Sequence, residues 1–283
     1  MRLTGGASPA DARSGAGVRR VWLPDGGSAY LKVTGAELGG DALAAAGREL
    51  RFYRRVGPDA PVCVPPLLGA FEADAGVALL LGDAGEQRDV AVWSPELWRG
   101  LGGTLARLHT MPVPAGDWDR PDALLSALAA PDLDAVAGFW SGRLPRLDEL
   151  LAGRGALRDR LGSAPPVFVH GDCHTGNVVH GNDVVLCDWQ ESGTGRATSD
   201  LALLSVRATP SGTRVPAVLF EEYLRECACA GVHLDAIELE RSLMLEELAV
   251  LVFLWPPFAA YNDPAGIDRV RRRARYLADR LGV

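Results

Sequence analysis

Lysine is all but missing from this sequence. Lys32 is the only one in 283 residues, and arginine supplies the other basic side chains. Any chemistry that needs a side-chain primary amine therefore falls on one position. A surplus of positive charge is missing too. The formal net charge of -7 argues against nucleic acid as the main partner, because phosphate backbones are bound by clustered lysine and arginine. It is compatible with a cationic ligand. The five cysteines, Cys63, Cys173, Cys187, Cys227 and Cys229, are odd in number and form no C-x-x-C pair. Reduced thiols in a cytoplasmic protein are expected, rather than a disulfide framework or a zinc site. No apolar stretch follows Met1, so no signal peptide is expected. The longest apolar run, Leu248 to Trp255, stops at Pro256-Pro257, too short to span a bilayer, and no membrane partner is expected.

What is present is material for a sizeable core, with 48% of residues apolar. The length allows one large domain or two lobes. Val18 to Leu23 and Ser28 to Val33 flank Pro24-Asp25-Gly26-Gly27 and read as a hairpin. Residues 37 to 56 read as a helix. Val62 to Phe71 and Val77 to Leu81 read as strands, the first weakened by Pro65-Pro66. Past Gly82 the pattern turns helical. Ser94-Pro95-Glu96 is a helix start, followed by a stripe of Leu97, Leu101, Leu105 and Leu108. Weaker helical patterns fill 121 to 161, Val167 to Asp188 returns to strand and loop, and 199–207, 215–231, 235–255 and 264–281 read as helices. The expectation is an α+β chain with a β-rich lobe over residues 1–82 and a mainly helical lobe over 83–283.

The most informative segment runs from Val167 to Gln190. Apolar residues lead into a polar loop holding His170, Asp172 and Asn177, and Val178-Val179 and Val184 to Cys187 then read as a hairpin. If Val179 faces Val184, Asn177 and Asp188 are near-opposite or diagonal neighbours, roughly 5–8 Å apart at Cβ. An amide oxygen and a carboxylate at that distance can share a hard cation such as Mg²⁺. Asp172, ahead of the hairpin, is left to meet an acceptor hydroxyl. Taken singly, each of these residues reads as an ordinary turn residue. Together, between apolar strands, they point to chemistry.

His170-Gly171-Asp172 with Asn177 five residues on, then Asp188-Trp189-Gln190, resembles the H-G-D-x-x-x-x-N and D-W signature of the aminoglycoside-phosphotransferase and choline-kinase superfamily. The resemblance implies a protein-kinase-like bilobal fold and phosphoryl transfer from ATP or GTP with Mg²⁺. It implies that Asp172 is the catalytic base, that Asn177 and Asp188 are the metal ligands, and that Asp200 and His170 support the loop structurally. Gln190 departs from the pattern, since many relatives carry an acid there.

The amino-terminal residues add a separate line. Strand alternation puts Leu31 and Val33 on one face and Tyr30 and Lys32 on the other. Ala45, Glu49, Phe52 and Val56 share a helical stripe in which Glu49 is the only charge, so Lys32 is its natural partner. A partly exposed Glu49 at the stripe margin is the alternative. In kinase-like folds such a pair orients the α- and β-phosphates. Tyr30 resembles an adenine-stacking tyrosine, or is a plain core tyrosine. Ser14-Gly15-Ala16-Gly17 looks like the phosphate-covering loop, with Gly5-Gly6 as a rival, and small residues there let backbone amides approach phosphates. Leu80-Leu81-Gly82-Asp83 falls at the family's hinge, where Leu81 and Asp83 would meet the base. His174 either touches substrate or faces solvent.

For the acceptor, residues 217 to 263 hold nine acids against Arg225 and Arg241, with Trp255, Phe258 and Tyr261 among them. Glu246, Trp255, Tyr261 and Gln190 are the candidate substrate contacts, although the acids also read as solvated helix faces. The reading is a kinase that inactivates a cationic antibiotic, an aminoglycoside or a tuberactinomycin-type peptide. A metabolic kinase for choline, a sugar or an amino-alcohol, and a catalytically dead binding module, are the alternatives. The chain is expected to act as a monomer or a homodimer.

Overall fold

The computed structural model describes residues 4–5, 17–181 and 183–283. Its strands are β1 (Thr4–Gly5), β2 (Gly17–Trp22), β3 (Ser28–Gly35), β4 (Leu67–Ala73), β5 (Gly76–Gly82), β6 (Val167–Val169), β7 (Val178–His180), β8 (Val184–Leu186) and β9 (Gly193–Gly195). Its α-helices are α1 (Gly40–Arg55), α2 (Pro95–Thr110), α3 (Ala123–Ala129), α4 (Leu133–Trp140), α5 (Leu147–Gly162), α6 (Ala197–Ala208), α7 (Ala217–Cys229), α8 (Ala236–Phe253) and α9 (Pro264–Leu281).

Contacts divide the chain into two compact units. One runs to Arg88 and takes back Gly176–Ser192; the other comprises Asp89–Thr175 and Gly193–Val283. This differs from a single boundary at residue 82. The reason is local hydrogen bonding. Glu86 and His180 exchange backbone bonds of 3.1 and 2.9 Å, and Leu186 N–H donates to the Cys63 carbonyl at 3.2 Å. The β7–β8 hairpin is thereby stitched to the first unit.

In the first unit, five antiparallel strands lie in the order β1-β2-β3-β5-β4. The β2–β3 turn closes with Leu23 N–H on the Gly27 carbonyl at 2.8 Å, and Gly26 takes the left-handed φ of 86° that the turn needs. β4 starts at Leu67 rather than Val62 because Pro65 and Pro66 have no N–H to give a ladder. α1 starts at Gly40, after a 3₁₀ turn over Ala36–Leu38, and directs Ala46, Glu49, Leu50, Phe52 and Tyr53 inward. It packs against β3 and β5. The covered face of β3 is its polar one: Lys32 and Thr34 are buried, while Val33 is 43% exposed.

In the second unit, the Ser94 hydroxyl accepts from Leu97 N–H at the start of α2, as an N-cap should. α2 packs on α7, α6 on α8, and α8 on α9. The core is built from residues such as Leu128, Val136, Trp140, Leu251, Val270 and Leu277. The weak pattern over 121 to 161 resolves into three helices, two of them capped by Asp122 and Asp132. β6 pairs with β9. Among the described residues, no single helix is long and apolar enough to cross a membrane.

Two residues expected at the substrate belong to this packing instead. Glu246 is 1% exposed. It accepts from Arg196 Nη2 at 2.6 Å and Nε at 3.0 Å, and from the Thr198 hydroxyl. Arg196 also reaches Asp122, so one guanidinium ties the starts of α3 and α6 to α8. Trp255 is buried, with its ring 5.3 Å from that of Phe139. Glu246→Ala would leave Arg196 enclosed without its main counter-charge. A loss of about 3–5 kcal/mol in denaturant-unfolding stability is expected; unchanged stability would return Glu246 to the list of ligand contacts.

Candidate active site

Period-2 alternation turns Lys32 toward α1, and the helical stripe turns Glu49 toward β3. The two meet: Lys32 Nζ lies 2.7 Å from Glu49 Oε2. The same ammonium donates to Asp188 Oδ1 at 2.6 Å. One buried cation thus serves two carboxylates. Burial by itself would lower the Lys32 pKa, but the charges of Glu49 and Asp188 outweigh it and raise the pKa above the ordinary lysine value. Burial raises the Glu49 carboxyl, and Asp188 pushes the same way, against the pull of Lys32.

Asp188 is placed by its neighbours. Trp189 is fully buried and stacks on Phe52 of α1, ring centroids 3.9 Å apart and planes within 8°. Its indole N–H donates to the Leu186 carbonyl at 2.9 Å. Asp188 itself takes a left-handed φ of 65°, a region that Asp tolerates better than most residues. Arg48 of α1 donates to the Gln190 carbonyl at 2.8 Å. The backbone of Gln190 is therefore part of this anchorage.

The hairpin register is one residue from the expected one. Val179 faces Val185, and His180 faces Val184, because the turn closes with Gly181 N–H on the Asp183 carbonyl. Cys187 N–H donates to the Asn177 carbonyl at 2.9 Å. Continued past the paired strands, this register sets Asn177 opposite Cys187, and Asp188 is one position further on. The donors are an amide and a carboxylate, all oxygen chemistry. Among the described residues, no group of three or more His, Cys, Asp or Glu could cage a metal. The pair fits a hard cation such as Mg²⁺, which takes one or two protein oxygens and fills its shell with water and phosphate.

Of the other expected nucleotide residues, Tyr30 is partly buried on the face of β3 that carries Lys32, paired with Leu81 of β5. Gly17 opens β2 opposite Val33. Ser14 and Gly15 lie outside the described residues, as does Gly6. Asp83 is heavily engaged. Its carboxylate accepts from the Ser28 hydroxyl at 2.6 Å and Arg20 at 2.8 Å, and its N–H donates to the Ser28 carbonyl at 3.2 Å. It acts as a clasp between β3 and the end of β5.

His170, Asp172 and Asp200 come together in the second unit. β6 leads into His170-Gly171-Asp172, where Gly171 takes a left-handed φ of 83°. The Asp200 carboxylate, fully buried at the start of α6, accepts from His170 N–H and Gly171 N–H, each at 2.8 Å. His170 Nδ1 accepts from Asp172 N–H at 3.3 Å. The loop is thus held to Asp200 by its backbone. His174 Nε2 lies 3.6 Å from Asp172 Oδ2, and Arg207 lies 3.5 Å from the same nitrogen. Burial would raise the Asp172 carboxyl, but the hydrogen bond and charge of His174, with His170 and Arg207, lower it to about 2.

Sequence reasoning misses His109 and Tyr223. His109 Nε2 is 3.1 Å from Asp200 Oδ2, and its Nδ1 is 3.0 Å from the Tyr223 hydroxyl. The carboxylate can only accept, so Nε2 donates. Burial acts to raise Asp200, yet His109 and His170 hold it below the ordinary aspartate value. The signal was present: His109 sits one turn past Leu105 on the buried face of α2. Of the remaining candidates, Tyr261 is exposed and Glu246 and Trp255 are enclosed.

A mixed α+β fold that positions a Lys–Glu pair, a D-W turn and an H-G-D loop is the kinase-like phosphotransferase class. The family model described as the APH phosphotransferase enzyme family matches residues 10–232. The chain belongs to that family, and it is a phosphotransferase. Solved structures of similar fold agree on the architecture. The macrolide 2'-phosphotransferase MphH from Brachybacterium faecium, as apoenzyme, has 20% identity and a TM-score of 0.59, covering 96% of this chain and 91% of its own. The amicoumacin kinase hAmiN, in complex with AMP-PNP, Ca²⁺ and Ami, has 15% identity and a TM-score of 0.65, covering 98% and 88%. The aminoglycoside phosphotransferase APH(3'')-Id from Streptomyces rimosus, in complex with ADP and streptomycin, has 20% identity and a TM-score of 0.51, covering 92% and 94%. No curated protein matches the sequence.

The depressed Asp172 pKa has a consequence for acid stability. The folded carboxyl sits at about 2, below the ordinary 3.8. As pH falls, the unfolded chain takes up the proton first. The stabilisation is complete above about pH 4 and is lost as pH falls through about 2. Denaturant midpoints of wild type and Asp172→Asn should therefore converge from about pH 5 to about pH 2. A difference independent of pH over that range contradicts the lowered value.

Proposed function

We propose that this enzyme transfers the γ-phosphoryl group of ATP or GTP, with Mg²⁺, to a hydroxyl of a small-molecule antibiotic. The observation that carries this reading is the Lys32 ammonium set between Glu49 and Asp188 at 2.7 and 2.6 Å. A buried lysine shared by two acids has an excess of negative partners. It is suited to hold a polyphosphate tail once a cation engages Asp188. Lys32 would grip that tail, and Glu49 would keep the ammonium in place. Asn177 and Asp188 would hold Mg²⁺, which when bound neutralises charge on the phosphate oxygens.

Asp172 would hydrogen-bond the acceptor hydroxyl and take its proton. A carboxylate lowered to about 2 is a weak base. That suits a loose transition state, in which orientation matters more than early proton removal. Asp200 and His170 would hold the loop backbone, with His109 and Tyr223 behind them.

The case for a cationic acceptor loses its footing in the helices. Glu222 and Glu226 engage Arg225, Glu238 engages Arg160, Glu240 faces Arg280, Glu246 holds Arg196, and Glu247 holds Arg273. Asp235 and Asp263 are N-caps. Glu221 alone of the nine has no partner of these kinds among the described residues. Support for an antibiotic acceptor therefore comes from the ligands of similar folds, which include streptomycin and amicoumacin, and not from surplus acidity.

The test is a phosphorylation screen with ATP·Mg²⁺ and GTP·Mg²⁺ over aminoglycosides, macrolides and tuberactinomycins, set against choline, sugars and amino-alcohols. Turnover of an antibiotic is expected, and turnover confined to the metabolites would replace the acceptor class. Asp172→Ala should lose at least about 10²-fold in kcat while nucleotide binding persists. Near-normal turnover in that variant would remove Asp172 from the reaction.

A further inference from the structure

A cavity of about 910 Å³ opens within the second unit, walled by α6, α7, α8, α9 and the segment joining α6 to α7. It lies in the upper size range of small-molecule pockets. On α6 its wall is Ala202, Ser205 and Thr209, one stripe of helical spacing. Asp200 and Arg207, the residues of α6 that reach the catalytic loop, lie roughly half a turn around the helix. The body of α6, about 10 Å across, thus stands between this cavity and Asp172. Neither the nucleotide residues nor the catalytic loop lines it.

Its lining has two characters. Phe220, Leu239, Leu243 and Met244 give an apolar wall from α7 and α8. The rim from α9 and the segment before α7 is cationic. There Arg273 is held by Glu247 at 2.7 Å, and Arg269 donates to the Pro210 carbonyl at 2.8 Å. Arg214 and Arg272 are exposed and have no carboxylate partner among the described residues. Of the lining acids, Glu247 is neutralised by Arg273 and Glu240 lies 3.7 Å from Arg280. Two unmatched guanidiniums beside an apolar wall, against Glu221 alone, do not suit a polycation. They suit a molecule with an apolar body and a negative end, because guanidinium binds carboxylate, sulfonate and phosphate oxygens through paired N–H donors.

We propose that this cavity is a second ligand site, for an amphiphilic organic anion whose apolar body lies against α7 and α8 and whose charged group engages Arg214 and Arg272. The site is independent of the phosphotransfer reading, since neither arginine belongs to the catalytic or nucleotide residues.

The probe is 8-anilinonaphthalene-1-sulfonate, titrated into the whole chain and followed by fluorescence. Saturable binding of one equivalent is expected, unaffected by saturating ATP·Mg²⁺. The double variant Arg214→Glu/Arg272→Glu should weaken it at least about tenfold, as expected when two charge-assisted contacts become repulsive. N-phenyl-1-naphthylamine, the same body without the sulfonate, should bind both proteins equally. Ser205→Trp, which fills the cavity, should block both probes. Phosphoryl transfer by the double variant should match wild type, so loss of the kinase reading would leave this test intact. Absence of saturable sulfonate binding, equal affinity in wild type and the double variant, or displacement by ATP·Mg²⁺ each overturns the proposal.

Discussion

The placing of one ammonium governs the first unit of this enzyme. Lys32 is enclosed, and an isolated buried charge is costly, so it holds its proton only because Glu49 and Asp188 both face it. The constraint propagates outward. Glu49 must face β3, which fixes the rotation of α1. Asp188 must reach Nζ, which requires its left-handed turn. The Phe52–Trp189 stack supplies the apolar seal on which both depend. Two carboxylates thus share one lysine.

The second unit uses the opposite economy. Asp200 is buried without a lysine or arginine partner among the described residues, and its charge is absorbed by hydrogen bonds from two backbone N–H groups and His109. Those bonds hold the His170–Asp172 loop in shape before any substrate arrives. The Asp172 carboxylate is not one of those bonds to Asp200; it faces His174 within the loop instead.

Much of this was legible in the sequence, and the misses have physical causes. Glu49 as the single charge in an apolar stripe, and Lys32 as the single lysine, were enough to pair two residues of different elements. The β7–β8 register differs by one residue from the expected one because His180, not Val179, faces Val184. Composition alone marks Glu246 and Trp255 as ligand contacts. An acid beside aromatics looks the same whether it meets solvent or Arg196, and the partner is 50 residues distant. The assignment of Gly176–Ser192 to the first unit rests on bonds from Glu86 and Cys63, which leave no local pattern. His109 was concealed by its helix: a polar residue on a buried stripe announces a need for partners, but not which ones.

Because Lys32 is the only lysine, its ammonium can be observed directly, with no assignment step. The most direct measurement is a ¹H–¹⁵N spectrum of protein labelled only in lysine side chains, recorded near neutral pH for wild type and Glu49→Gln. An ammonium held by two carboxylates should give one slowly exchanging signal that shifts when Glu49 is neutralised. A signal lost to rapid solvent exchange, or one indifferent to Glu49→Gln, would contradict the shared ammonium.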